Sequence, residues 1–261
     1  MADSAQQPSI LDGQWRAQHL QLISFPQESQ LAVEQNWWAD LTGNSEVEST
    51  RKKGARTDSG AFDGNALQLN IDLLRTLWIM SPILDLTNAE RPEGPPEIGD
   101  FASCRDKFSQ LMEHWLTEFC PPINRLAFAA TLIQWTNSRE ESYKLLDRYL
   151  PVVEVDPEST DFQYRINRKR TSTTDVSGLV VNRLSTWASI KVSIGGMRVV
   201  MAGGATATAN TAEGEFTGCQ LQLDINTEPN REGQLPHNRL PQIWRELVAL
   251  GSEIASRGDI R

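Results

Sequence analysis

DFASCRDKFSQLMEHWLTEFCPPINRLAFAATLIQ, residues 100–134, decides the fold class. Phe101, Cys104, Phe108, Leu111, Met112, Trp115 and Phe119 recur at the 3.6-residue period, and the spacing predicts a helix with one apolar stripe. Asp100 is its cap, and Pro121-Pro122 ends it because proline lacks the N–H that a helix interior needs. Ile123–Gln134 is then an apolar run of strand length, expected to be buried.

Towards the N-terminus, Trp15–Phe25 alternates as a strand, and 28–42 is a short helix carrying Leu31, Trp37, Trp38 and Leu41, stopped by Gly43. Residues 44–64 are polar, charged and broken by glycine, which predicts an exposed loop. Ala66–Met80 is apolar enough for one or two strands, a hairpin. The four prolines between 82 and 96 exclude a helix interior and a central strand. Towards the C-terminus, Ser138 with Glu141 forms a capping box for a helix bearing Tyr143, Leu145, Leu146, Tyr149 and Leu150. Phe162, Tyr164 and Ile166 mark a half-buried strand. Leu179–Ile194 is a long strand whose alternation breaks near Ser185–Trp187, where a bulge would restore register. Gly195-Gly196 turns into a strand at Met197–Met201, residues 202–218 are a small, polar loop, Leu221, Leu223 and Ile225 face inward from a last strand, and 238–256 is a final amphipathic helix.

Strands and helices mix without βαβ alternation, which predicts an α+β fold, a mainly antiparallel sheet with packed amphipathic helices. Strand, helix, strands and helix occur in that order twice, and QHLQLISF (18–25) echoes CQLQLDINT (219–227). This suggests two similar lobes, 1–120 and 121–261, the alternative being one continuous domain.

Hydrophobic residues at 39% and charged residues at 23% describe a globular chain, and eight Trp exclude a disordered one. The longest apolar run, Leu126–Ile133, is far short of a bilayer span, and the first twenty residues carry no secretory signal, so a cytoplasmic location without membrane contact is expected. Three cysteines, Cys104, Cys120 and Cys219, argue against a disulfide frame. The chain has 34 acidic and 25 basic residues, net −9, so as a whole it is not steered towards nucleic acid. Residues 163–198 nevertheless carry +6, leaving −15 elsewhere. Arg165, Arg168, Lys169, Arg170, Arg183 and Lys191 are therefore the candidate polyanion contacts. Neighbouring strands would line them into one positive face with Tyr164 and Trp187 near enough to stack on bases. The alternative is a solvated face, or one that pairs with the chain's own acids. The triplet Ile/Val-Asn-Arg recurs at 123–125, 166–168 and 181–183, with no mechanism evident.

Chemistry is sparse. His19, His114 and His237 stand apart, no Cys-x-x-Cys occurs, and no metal or cofactor is predicted. Nucleophile elbow, P-loop and dinucleotide fingerprint are all missing. Asp224, on the polar side of the last strand with Gln220 and Gln222, reads as a strand-end residue capping the next turn. Whether the chain is an enzyme stays open, and no catalytic residue is assigned. Adjacent Trp37 and Trp38 cannot point the same way on a helix, so both are candidate protein-interface residues with one of them at a surface, tryptophan being enriched at interface centres; the alternative for each is the core.

The second half has a further outline: an aromatic-striped helix ending at Pro121-Pro122, INRLAFAATLIQ (123–134), FQYRINR (162–168), GLVVNRLSTWAS (178–189) and QLQLDINT (220–227) before the last helix. Over residues 101–256 it resembles a sporadically distributed, uncharacterised bacterial protein family of about 260 residues. Asn226 stands where that family tends to have Asp. The family has no assigned activity, so the resemblance carries no residue role. Its patchy distribution implies accessory genes of mobile-element or antiviral defence loci. Together these readings point to a non-catalytic interaction or accessory subunit of a bacterial multi-protein system, with another protein subunit as partner. The alternative is a nucleic-acid-binding module using 163–198. Oligomeric state is not predicted.

Overall fold

The computed structural model describes residues 14–27, 35–44, 47–83, 95–194, 198–200, 206–208, 214–231 and 233–259. Its strands are β1 (Arg16–Pro26), β2 (Glu48–Lys52), β3 (Ala55–Phe62), β4 (Asn65–Asp72), β5 (Thr76–Ser81), β6 (Gly99–Asp100), β7 (Ile123–Thr136), β8 (Gln163–Asn167), β9 (Arg170–Thr171), β10 (Val180–Ile194), β11 (Arg198–Val200), β12 (Thr206–Thr208) and β13 (Gly214–Thr227). Its helices are α1 (Trp37–Thr42), α2 (Phe101–Glu118), α3 (Arg139–Tyr149) and α4 (Leu240–Arg257). The fold is α+β and mostly antiparallel sheet. The main sheet runs β2-β3-β4-β5-β1-β7-β13-β10-β8, with β6 beside β1 and β9 beside β10. The candidate boundary near residue 121 falls at the β1–β7 ladder, and the sheet is continuous across it.

All four helices lie on one side of this sheet. Leu20 and Leu22 of β1, Leu67 and Leu69 of β4, Trp78 of β5, Phe128 and Leu132 of β7 and Leu221 and Leu223 of β13 point to that side and are buried. The stripe of α2 and the apolar face of α4 close over them. Asp100 Oδ1 accepts from Ser103 N at 2.9 Å and Ser138 Oγ from Glu141 N at 3.3 Å, so both predicted caps are in place.

Tryptophan carries much of this core. Trp37 and Trp38 are 4% and 1% exposed, so neither is the surface residue that their adjacency suggested. Trp37 meets the Trp115 ring edge-on at 5.7 Å, whereas Trp38 turns to the sheet and donates Nε1–H to the Leu67 carbonyl at 3.1 Å. On a six-residue helix wedged between α2 and the sheet, opposite sides are both interior. Trp15 and Trp187 pack against Tyr149, and Trp244 against Phe108 and Phe128.

Three further expectations change. Residues 44–64 are not a loop but hold the hairpin β2–β3, and β3–β4 turns through Asp63 and Gly64 at φ 49° and 77°. Asp-Gly is the hairpin signal that the charged surroundings obscured. β3 also turns Arg56 and Asp58 inward, where they pair at 2.9 Å, which hides the usual apolar alternation. No bulge occurs at Ser185–Trp187: β10 stays in register with β13 from Val181 to Ile194. Ser185 sits on the core side because it accepts the Trp187 indole N–H at 3.1 Å. Finally, β12 and the start of β13 occupy part of the expected loop 202–218. The helix expected over 28–42 is observed at Trp37–Thr42, residues 28–34 lying outside the described residues, as do Gly195-Gly196 and residues 201–205 and 209–213.

Gly251 fixes how closely α4 approaches the sheet, since a Cβ there would stand 2.9 Å from Phe128 Cε1 and 3.4 Å from Ile225 Cγ1. Gly251→Val therefore overpacks the contact and should cost about 1–3 kcal/mol. Urea unfolding would show a lower midpoint with an unchanged slope, and an unchanged midpoint would mean that α4 is not seated by this contact.

Candidate functional site

The positive face expected from residues 163–198 does not assemble. Alternation along β10 and β8 sends Arg183 and Tyr164 to the helix side, and Arg165 and Asn167 to the other. Trp187 is wholly buried in the core and stacks on Tyr149, so it offers no face to a base. Five of the six candidate cations have carboxylate partners. Arg168 holds Asp259 through Nε and NH2 at 2.6 and 2.7 Å, Lys169 holds Glu228, Arg170 and Arg183 share Glu253 at 3.4 Å, and Lys191 meets Glu215 at 2.9 Å. Arg183 is only 3% exposed, and burial lowers its pKa. The acids of the chain thus pair with the basic segment. Arg165 alone among the six is exposed and makes no ion pair among the described residues.

Arg165 belongs to the side of the sheet that no helix covers. There the strands bring five side chains into one row by register: Arg165 (β8), Thr186 (β10), Gln222 (β13), Thr131 (β7) and His19 (β1). His19 Nε2 and Thr131 Oγ1 are 3.0 Å apart, and burial lowers the His19 pKa below 6.5. The next row sets Asn167, Leu184, Asp224 and Ala129 side by side. A depression of about 400 Å³ opens between the rows, with His19, Ala129, Thr131, Arg165, Leu184 and Asp224 among its walls.

Behind it runs a ladder of amides. Asn167 Nδ2 donates to Asn182 Oδ1, Asn182 Nδ2 to Asn226 Oδ1, and Asn226 Nδ2 to Asp224 Oδ1, at 3.0, 3.0 and 2.8 Å. Arg125 NH2 donates to the same Asn226 oxygen at 3.0 Å, its guanidinium lying 4.7 Å over the Phe25 ring. Two of the three Ile/Val-Asn-Arg triplets gain a role here, since one strand register puts both asparagines on the open side and the following arginines among the acids of the helix side. Asp224 is correspondingly not a turn cap but a strand residue facing the depression.

Away from the strand ends, the open side from β3 to β8 carries three formally charged side chains, Arg125, Arg165 and Asp224. Besides the His19 imidazole, that side carries mainly amides, hydroxyls and aliphatics such as Gln21, Ile23, Leu77 and Ile79. Sequence reasoning missed His19, Thr131 and Gln222; the signal was their shared parity on strands whose opposite parity is apolar. Among the described residues no group of three or more His, Cys, Asp or Glu could hold a metal ion. The three cysteines are buried, and burial raises each thiol pKa. No helix among them is long and apolar enough to cross a membrane. No family model matches the chain, and no curated protein matches it.

Two pH effects follow. Arg168 holds the Asp259 carboxyl below its ordinary 3.8. This contribution is complete above the unfolded value of about 4 and is lost as pH falls through the folded one. Asp259→Asn should be less stable than the parent at pH 7, with the difference closing in acid. His19, with a lowered pKa, favours the fold while neutral and costs stability as pH drops below about 6.5. His19→Gln should flatten thermal stability between about pH 6.5 and 5, and a parallel slope in both proteins would contradict the burial of that ring.

Proposed function

We propose that the protein is a non-catalytic interaction or accessory subunit of a bacterial multi-protein system, and that its partner, another protein chain, covers the open side of the sheet. The observation that carries this is the charge-poor character of that side in a chain where 23% of residues are charged. Loss of charge at the centre is the compositional mark of protein–protein contact surfaces, and amides and hydroxyls there can pair with a partner. Membership of the sporadic bacterial family, and with it a place in mobile-element or antiviral defence loci, rests on the quoted strand motifs alone; the cytoplasmic location rests on sequence. Two similar lobes are part of the same proposal. Each half runs strand, helix, meander and helix, and the first strands of the two halves, β1 and β7, lie side by side.

Production together with the product of a neighbouring gene should yield a complex that survives moderate salt. Ile79→Lys, which places an unpaired charge on the open side, should weaken it about tenfold or more without shifting the melting temperature, while Lys144→Glu on the exposed side of α3 leaves it intact. Retention of the partner by Ile79→Lys would remove the open side as the contact.

A nucleic-acid-binding role for 163–198 comes second, favoured by Arg165, the one of the six candidate cations that is exposed and makes no ion pair among the described residues. Fluorescence anisotropy with single- and double-stranded DNA and RNA should show no steeply salt-dependent binding. Tight, salt-sensitive binding abolished by Arg165→Glu would reverse the order of the two proposals.

A further inference from the structure

We propose that the depression on the open side is a binding site for a small zwitterion of tripeptide length, its carboxylate on Arg165 and its ammonium on Asp224. The site lies within the open side that the proposed partner covers, but it is argued from its own charges and spacing, and its test is read on the isolated chain. Its charges are balanced, one exposed guanidinium and one carboxylate, with His19 beside them. Among the walls of the depression a phosphate-bearing polyanion would meet one cation, Arg165, and be repelled by Asp224, with Arg125 held on Asn226 beyond those walls, whereas a molecule carrying both signs satisfies each end.

The spacing selects the length. Arg165 on β8 and Asp224 on β13 flank β10, and they are offset by one two-residue step, because Arg165 pairs with Thr186 and Asp224 with Leu184. Two strand spacings and one such step put the two Cα positions about 10 Å apart across the sheet and about 7 Å along it. The Arg165 side chain can shorten that span, and the termini of an extended tripeptide stand about 10 Å apart. Thr186, Gln222 and Leu184 lie between the charges, which suits a peptide backbone flanked by small side chains. The ladder leaves one ligand-facing oxygen on Asp224, since Asn226 is bound to Oδ1 and no hydrogen bond reaches Oδ2 among the described residues. The volume of about 400 Å³ lies within the range of small-molecule sites.

Trialanine is the probe, read by two-dimensional NMR titration and calorimetry on the isolated full chain. Saturable binding is expected, with shifts centred on β8, β10 and β13. N-acetyl-trialanine, trialanine amide, Arg165→Gln and Asp224→Asn should each bind about tenfold more weakly or worse, as for the loss of a charged hydrogen bond. Arg165→Gln should reduce affinity for trialanine but not for trialanine amide, and Asp224→Asn should do so for trialanine but not for N-acetyl-trialanine. A merely structural effect would lower both members of each pair. Unchanged melting temperatures for the two variants complete the test. No saturable binding of trialanine, equal binding of the blocked peptides, or tighter binding of AMP would each overturn the proposal. The partner-retention experiment is unaffected by any of these outcomes.

Discussion

The antiparallel ladder between β1 and β7 is the constraint on which the other elements depend. It runs from Arg16–Ile133 to Pro26–Ile123 and joins strands about a hundred residues apart in the chain. Once it forms, β5 has only the free edge of β1 and β13 only that of β7. The helices then have one surface to cover. Leu20, Leu22, Phe128 and Leu132 all turn the same way at that ladder, so α2 and α4 meet each other above it. A slip of one residue would turn this apolar set outward and bring His19, Gln21 and Thr131 beneath the helices.

That one-sidedness also arranges the charge. The helix side holds the acids that neutralise the basic segment: Glu253 of α4, Asp259 just beyond it, and Glu228 after β13. The more exposed of these pairs, Lys169–Glu228 and Arg170–Glu253, contribute little each. Their larger effect is on surface potential, because they leave the open side governed by Arg165, Arg125 and Asp224. A chain with net −9 thus has one broad surface that is close to neutral and rich in hydrogen-bonding groups.

Much of the fold was legible in the sequence wherever period and burial agree. The stripe of α2, the Ser138–Glu141 box, the apolar run of β7 and the face of α4 all read correctly, because each buries one side against the sheet. β3 was not legible, since its inward positions Arg56 and Asp58 are an ion pair and its turns were masked by charge. The site was less legible than the fold. Arg165 was a candidate, but its five companions were grouped with it by sequence proximity, whereas alternation and pairing sort them to different sides. His19, Thr131 and Asp224 come from strands far apart in the chain, and only strand order brings them together. Trp37 and Trp38 show the converse: adjacency implied one exposed ring, yet a short helix between two layers has no outer side to give.

Gly258 has a consequence for the order in which the molecule is assembled. Its φ of 78° and the carbonyl of Tyr149, which a Cβ would approach to 2.2 Å, are what let Asp259 donate its amide to Tyr149 O and reach Arg168 with its carboxylate. Arg168 follows directly on the edge strand β8, and 91 residues separate it from the group that fastens it. During synthesis β8 therefore leaves the ribosome, and can pair with β10, long before its clasp exists. The outer strand of the sheet is the first part of the second half to emerge after α3 and the last to be locked, so until the final turn of α4 has docked it is held without its clasp while its outer edge is free to pair with other chains.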